Sequence, residues 1–268
     1  MTDRSIDIGG VAHIEVPGAG DIAVRKIGLD DLQAALRAGL ADYRAMPSHL
    51  VMLTLVYPIL GLIAARWSMG NDLLPIIFPL ISGFALVGPI AAVGLYEISR
   101  RREAGLETHW SDVFKVVRSP GAVTIVVLSA VLLVLFVGWL AAAAAIYRSQ
   151  FGAHVPVSPL VLLREIVTTG PGHTVLLLGN AVGLGFAVVT LAVSAISFPI
   201  ALDRGVGPVV ALVTSVRAML ANPGTMLVWG FIVAAGLVLG AIPLFVGLAV
   251  AMPVLGHATW HLYRRLVV

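Results

Sequence analysis

Gly121–Tyr147, which reads GAVTIVVLSAVLLVLFVGWLAAAAAIY, contains no charged residue in 27 positions. At about 1.5 Å of rise per residue, a helix of that length reaches past the roughly 30 Å hydrocarbon core of a bilayer. In water the segment would expose more apolar surface than a domain of this size can cover. In lipid it needs no cover, and a helix satisfies its own backbone donors and acceptors. The rest of the chain repeats the pattern: hydrophobic residues make up 59% of 268 positions and charged residues 12%, against about 25% charged in an ordinary soluble domain. The fold class that follows is all-α and integral to a membrane.

Six transmembrane spans are predicted, at about Ser48–Ala65, Leu73–Ile98, Gly121–Tyr147, His173–Leu202, Gly224–Leu239 and Ile242–Tyr263. The second, third and fourth exceed a perpendicular crossing, so tilt, kinks or extension beyond the bilayer are expected. Pro75, Pro79, Pro89, Pro199 and Pro253 are the candidate kinks, since each removes a backbone donor. The short link Gly240–Pro243 makes the last two spans a hairpin. Ahead of the spans, residues 1–24 carry Asp3, Asp7, Glu15 and Asp21 and the breakers Gly9-Gly10 and Pro17-Gly18-Ala19-Gly20. They read as a flexible cytoplasmic tail and not as a cleavable signal, with Ile6, Ile8, Ile14 and Val16 as an alternative short strand. Residues 25–268 read as one polytopic membrane domain.

Lysine and arginine set the orientation, because cytoplasmic flanks retain positive charge. Arg25, Lys26, Arg100, Arg101, Arg102, Lys115, Arg204, Arg264 and Arg265 fall on one side of a six-span chain, while Arg66, Arg148 and Arg164 fall on the other. Both termini are therefore expected in the cytoplasm.

Three times a short amphipathic segment meets a proline and then enters a span. Leu32, Leu36, Leu40 and Tyr43 share a helical face after a capping-box-like Asp30-Asp31-Leu32-Gln33 and stop at Met46-Pro47. Trp110, Phe114 and Val117, with Ser111 as a cap, lead to Ser119-Pro120. Val209, Leu212, Val216 and Leu220, opened by Pro208, lead to Asn222-Pro223. The expected unit is an interfacial helix, an elbow and a transmembrane hairpin, with Arg37, Arg44, Arg118 and Arg217 turned toward lipid headgroups. An insertion between Arg148 and Gly172 places Leu160, Leu163 and Val167 at helical spacing before Gly170-Pro171-Gly172, which suggests a short helix on the outer side.

Several functions are excluded or disfavoured. Cysteine is absent, which removes disulfides, thiolate metal sites and cysteine nucleophiles. The basic residues flank spans instead of forming one basic face with aromatics, so nucleic acid is not an expected partner. No phosphate-binding glycine loop, zinc-protease helix or nucleophile elbow occurs, so an enzyme is not expected and no cofactor is implied. His257 and His261, four apart on one helical face, are the candidate metal or haem ligands, with Glu97 and Asp203 at the same expected depth. The alternative for the two carboxylates is ion pairing with Arg100 and Arg204. Asn180, followed by Gly183 and Gly185, is expected to face a neighbouring helix.

The runs Arg25-Lys26-Ile27, Asp31-Leu32 and Asp42-Tyr43-Arg44, then Gly83–Pro89 (GFALVGP) and Val93–Arg101 (VGLYEISRR), resemble a bacterial family of integral membrane proteins, domain of unknown function 2189. So do Ser197-Phe198-Pro199, Asp203-Arg204, Asn222-Pro223 and Gly256–Arg264 (GHATWHLYR). The resemblance runs from about Arg25 to Arg265 and implies a membrane protein without naming an activity. The expected function is a non-catalytic structural or interaction component of the bacterial inner membrane, in contact with lipids and with a membrane-protein partner or a second copy. The alternatives are a small-solute or ion transporter or channel and, more weakly, a metal or haem binder at His257 and His261.

Overall fold

A computed structural model describes residues 22–46, 75, 77–243 and 246–268. The described residues are helical, apart from loops and one antiparallel bridge of Val24 with Val267. The first expected span, Ser48–Ala65, and nearly all of the N-terminal tail lie outside the described residues.

Helix α1 covers Leu29–Ala45, and Asp31 in its first turn accepts a hydrogen bond from the Gly28 amide at 3.0 Å. The second expected span is a composite: α2 (Ile77–Gly83), a 3₁₀ turn (Phe84–Val87) and α3 (Gly88–Glu103). The turn immediately precedes Pro89, whose ring cannot donate into the preceding turn. A 3₁₀ helix at Trp110–Arg118 then leads into α4 (Ala122–Phe151). Its start is fixed by Asp112, which accepts from the His109 amide at 2.9 Å, and not by Ser111 as expected.

The insertion forms α5 (Pro159–Thr168), capped by Ser158. Gly170-Pro171-Gly172 opens the next helix instead of only closing this one: α6 runs Gly170–Ser194, with Thr169 as its cap. A break at Ala195-Ile196 separates α6 from α7 (Ser197–Arg204). Pro199 has no amide to offer the Ala195 carbonyl, and the Ile196 amide turns to Ser215 Oγ at 3.2 Å. Helices α8 (Pro208–Ala221), α9 (Pro223–Ala241) and α10 (Leu248–Leu266) complete the chain.

Four stretches among the described residues are long and apolar enough to cross a membrane: Ile77–Glu103, Ala122–Phe151, Gly170–Arg204 and Pro223–Ala241. The sixth expected span, Ile242–Tyr263, corresponds to α10, which begins later and is not among those four. Its second half is polar in sequence yet buried. Leu255 through Trp260, Leu262, Tyr263 and Leu266 are covered by neighbouring helices, chiefly α1, α3 and α9.

Two of the expected interfacial helices pack into the bundle through a face other than their stripe of large apolar residues. α1 buries Leu32, Ala35, Gly39 and Asp42. α8 buries Ala211, Thr214, Ser215, Ala218 and Met219 and leaves Val209 and Leu220 exposed. Small residues mark the contacts because they let helix backbones approach closely. A Cβ added at Gly39 would lie 2.5 Å from the Ala258 amide nitrogen, and one at Gly121 would run into the Ala201 carbonyl.

Candidate functional site

The ends of α1, α3, α7 and α10 meet at one end of the bundle, where the charged side chains of the helices gather. Asp42 sits in the last turn of α1, on the same face as Ala35 and Gly39, so the close α1–α10 packing carries its carboxylate into the interior. It is 7% exposed. Its Oδ2 accepts from Ser99 Oγ at 2.6 Å and from His261 Nε2 at 2.9 Å. Its Oδ1 lies 3.4 Å from Arg102 Nε, and Arg102 Nη1 also donates to the Asp42 carbonyl at 3.1 Å. Burial opposes charge on Asp42, but the hydrogen bonds from His261 and Ser99 and the nearby imidazoles hold its carboxyl below the usual value.

Ser99 is fully buried and lies between Asp42 and His257, whose Nδ1 is 2.8 Å from Ser99 Oγ. Because the single hydroxyl proton goes to the carboxylate, the serine oxygen accepts from His257, which therefore carries its proton on Nδ1. A serine nucleophile requires the opposite arrangement, with imidazole accepting the hydroxyl proton. The same protonation bears on the metal reading. His257 Nδ1 and His261 Nε2 both present protons, not lone pairs, to the shared centre. Among the described residues no group of three or more histidine or acidic side chains is placed to hold a metal ion. The two histidines meet at Asp42, a residue the sequence reading did not single out.

Glu97 and Asp203 lie beside this cluster and do not join it. Glu97 is buried and receives two hydrogen bonds from Arg100, at 2.8 and 2.9 Å. Asp203 pairs with Arg264 at 3.3 Å and accepts from the Tyr263 hydroxyl at 2.6 Å, in place of the expected pair with Arg204. Glu103 completes this second network, taking Trp260 Nε1 and Arg264 Nε, each at 3.0 Å. Five residues in two turns of α10, His257, Trp260, His261, Tyr263 and Arg264, thus engage partners on α1, α3 and α7.

Asn222, read in the sequence only as part of an elbow, fastens the chain ends. Its Oδ1 accepts from the Ile27 amide at 2.8 Å and its Nδ2 donates to the Arg25 carbonyl at 3.0 Å. The segment it holds runs antiparallel to the C-terminus, with the Arg25 amide 2.8 Å from the Leu266 carbonyl. Asn180 is far from all of this. It is exposed, donates to the Leu176 carbonyl of its own helix at 2.7 Å, and borders a cavity of about 360 Å³ between α2, α4, α5 and α6. The close approach expected near it occurs at Gly183, where an added Cβ would sit 3.0 Å from the Trp139 ring. Of the four arginines expected at headgroups, Arg37, Arg44 and Arg118 are exposed and Arg217 is half-buried.

Residues 77–203 match the family model described as predicted integral membrane protein (DUF2189). Over these residues the chain is similar to the DUF2189 family. No curated protein and no solved structure matches the chain. The match is shorter than the stretch from Arg25 to Arg265 that carries the sequence resemblance. The DUF2189 segment supplies Glu97, Ser99, Glu103 and Asp203, while Asp42, His257 and His261 lie outside it. The polar networks therefore tie the DUF2189 segment to the helices that flank it on both sides.

Proposed function

We propose that this protein is a non-catalytic component of a bacterial inner membrane, working through contacts with lipids and with another membrane protein or a second copy of itself. The observation that carries this reading is the internal pairing at the charged end. Asp42, Glu97, Glu103 and Asp203 each bind side chains of the same chain. Ser99 donates its hydroxyl hydrogen bond to the Asp42 carboxylate, so the cluster has the form of a fastening and not of a reacting centre. The opposite character prevails along the spans, where Val134 and Val137 on α4 and Leu177 and Leu184 on α6 are exposed, suited to lipid or to a partner helix. In-cell cross-linking followed by blue-native electrophoresis of the full chain is expected to give a discrete species larger than the monomer. Recovery of monomer alone would overturn this reading.

A transporter is the second reading, favoured by the breaks at Phe84–Val87 and Ala195-Ile196, since interrupted spans recur where solutes cross.

In both readings six spans form three hairpins with both termini in the cytoplasm. The exposed Trp110, Phe114 and Val117 rest in the cytoplasmic headgroup layer, their apolar side chains toward the hydrocarbon. The absence of cysteine makes the orientation directly testable. In intact cells a membrane-impermeant maleimide is expected to label Val157→Cys, whereas Val268→Cys reacts only after permeabilisation. The reverse pattern would invert the topology.

A further inference from the structure

A cavity of about 350 Å³ lies between α3, α6, α9 and α10, inside the level of the spans and away from the charged networks. Its lining grades along its length. Tyr96, Thr190, Ser194 and Thr259 sit toward the charged end of the bundle, and Leu184, Leu237 and Met252 toward the other. Three of the four hydroxyls are engaged. Ser194 donates to the Thr190 carbonyl at 2.7 Å, Thr259 donates to the Leu255 carbonyl at 2.8 Å, and Tyr96 is hydrogen-bonded to Thr259. Thr190 Oγ1 is different: the residue is 5% exposed, and this oxygen is buried without a hydrogen-bond partner. Hydroxyl groups in apolar surroundings are ordinarily paired, so a buried donor without a partner calls for an explanation.

We propose that the cavity binds a neutral lipophile with a carbonyl-type acceptor at one end, its apolar body toward Leu184, Leu237 and Met252 and its carbonyl oxygen accepting from Thr190 Oγ1. Three observations select this chemistry. The unpaired group is a hydroxyl donor, which calls for an acceptor. No lining residue among those described is charged, so an ionised head would be buried without a counter-charge. The volume is near the lower end of the roughly 300–1,000 Å³ usual for ligand pockets, enough for one chain or ring system and not for a whole two-chain lipid. Leu184, Leu227 and Phe231 border the cavity and are exposed, which gives a ligand dissolved in the bilayer a side entrance between α6 and α9. The site is independent of the partner contacts proposed above.

The test uses the purified full chain in lipid nanodiscs and a photoactivatable probe, the methyl ester of a diazirine-bearing fatty acid. Labelling is expected to saturate and to map to Leu184–Ala195 and Leu227–Leu237. Thr190→Val, which keeps the shape and removes the donor, should raise the half-saturating concentration about fivefold to tenfold, the scale of one net hydrogen bond. Ala234→Phe, at an exposed position on the rim, should abolish saturable labelling, while Val126→Phe on a lipid-facing part of α4 should not. Unlabelled methyl ester should compete, and the ionised free acid at pH 8 should not. Labelling that fails to saturate, or that survives Ala234→Phe, is ordinary bilayer contact and overturns the site. Equal competition by the free acid overturns the neutral head, and an unchanged Thr190→Val overturns the role of the hydroxyl.

Discussion

Asp42→Ala is expected to lower the stability of the folded protein by about 3 kcal/mol, the scale of removing one partner from a buried charged cluster. The loss would come less from the contacts removed than from the groups left behind. Ser99 and His257 are almost fully buried, and Arg102 and His261 are both largely covered. Ser99, Arg102 and His261 would keep their polarity and lose the carboxylate they face, while His257 would keep only a serine no longer held by it. Asp42→Asn keeps the shape and one acceptor oxygen but removes the charge, so it should cost less. The pH dependence follows from the depressed carboxyl. A group whose folded pKa lies below its unfolded value adds stability above the unfolded value and loses it as the pH falls through the folded one. The contribution is therefore complete above about pH 4, the ordinary aspartate value, and disappears in more acidic solution. Unfolding of the detergent-solubilised protein, followed by tryptophan fluorescence between pH 3 and pH 7, should show wild type and Asp42→Ala converging at the acid end. Curves that stay parallel over the whole range would show that Asp42 does not hold the cluster by its charge.

This cluster also shows where the sequence was legible and where it was not. Helices were plain because apolar runs and prolines act locally: Pro89 and Pro199 sit next to the 3₁₀ turn and the α6–α7 break, as their missing donors require. His257 and His261 could be paired from their spacing alone. Their common partner could not, because Asp42 lies 219 residues from His261, and no periodicity reports a contact of that range. Asp203 went to Arg264 and not to adjacent Arg204 for a related reason. The Tyr263 and Arg264 side chains arrive from a different helix, and only the assembled bundle brings them there.

The face with which α1 packs against the bundle was not legible in its hydropathy. Leu32, Leu36, Leu40 and Tyr43 form its most hydrophobic stripe, yet Leu32, Ala35, Gly39 and Asp42 are the residues buried. Large side chains dominate any hydropathy pattern, whereas close helix crossings are chosen by small ones. Ala35 and Gly39 followed by an acid three residues on was the available signal, pointing both to the contact and to a buried carboxylate within it. Thr190 offered none, since an apolar span tolerates a threonine that bonds its own helix and the sequence cannot tell that from an unpaired one.

Gly39→Ala is expected to destabilise the protein by about 2 kcal/mol, within the usual range for overpacking a tight contact, although the substitution would favour a helix anywhere else. The new methyl group would sit 2.5 Å from the Ala258 nitrogen and 2.7 Å from the Val254 carbonyl oxygen. Both are backbone atoms of α10, which no side-chain rotation can move aside. Relief has to come from separating α1 and α10, and Asp42 lies less than one turn farther along the same face. A shift of a few tenths of an ångström would lengthen hydrogen bonds to Ser99 and His261 that now measure 2.6 and 2.9 Å. The two substitutions should therefore be coupled. In a double-mutant cycle, Gly39→Ala should cost less in an Asp42→Ala background than in wild type, because part of its effect is the weakening of a cluster already lost. Strict additivity in the cycle would mean that the close packing and the polar cluster stabilise the bundle independently. A shortfall of about 1 kcal/mol would show that the glycine is needed to bring Asp42 to its partners.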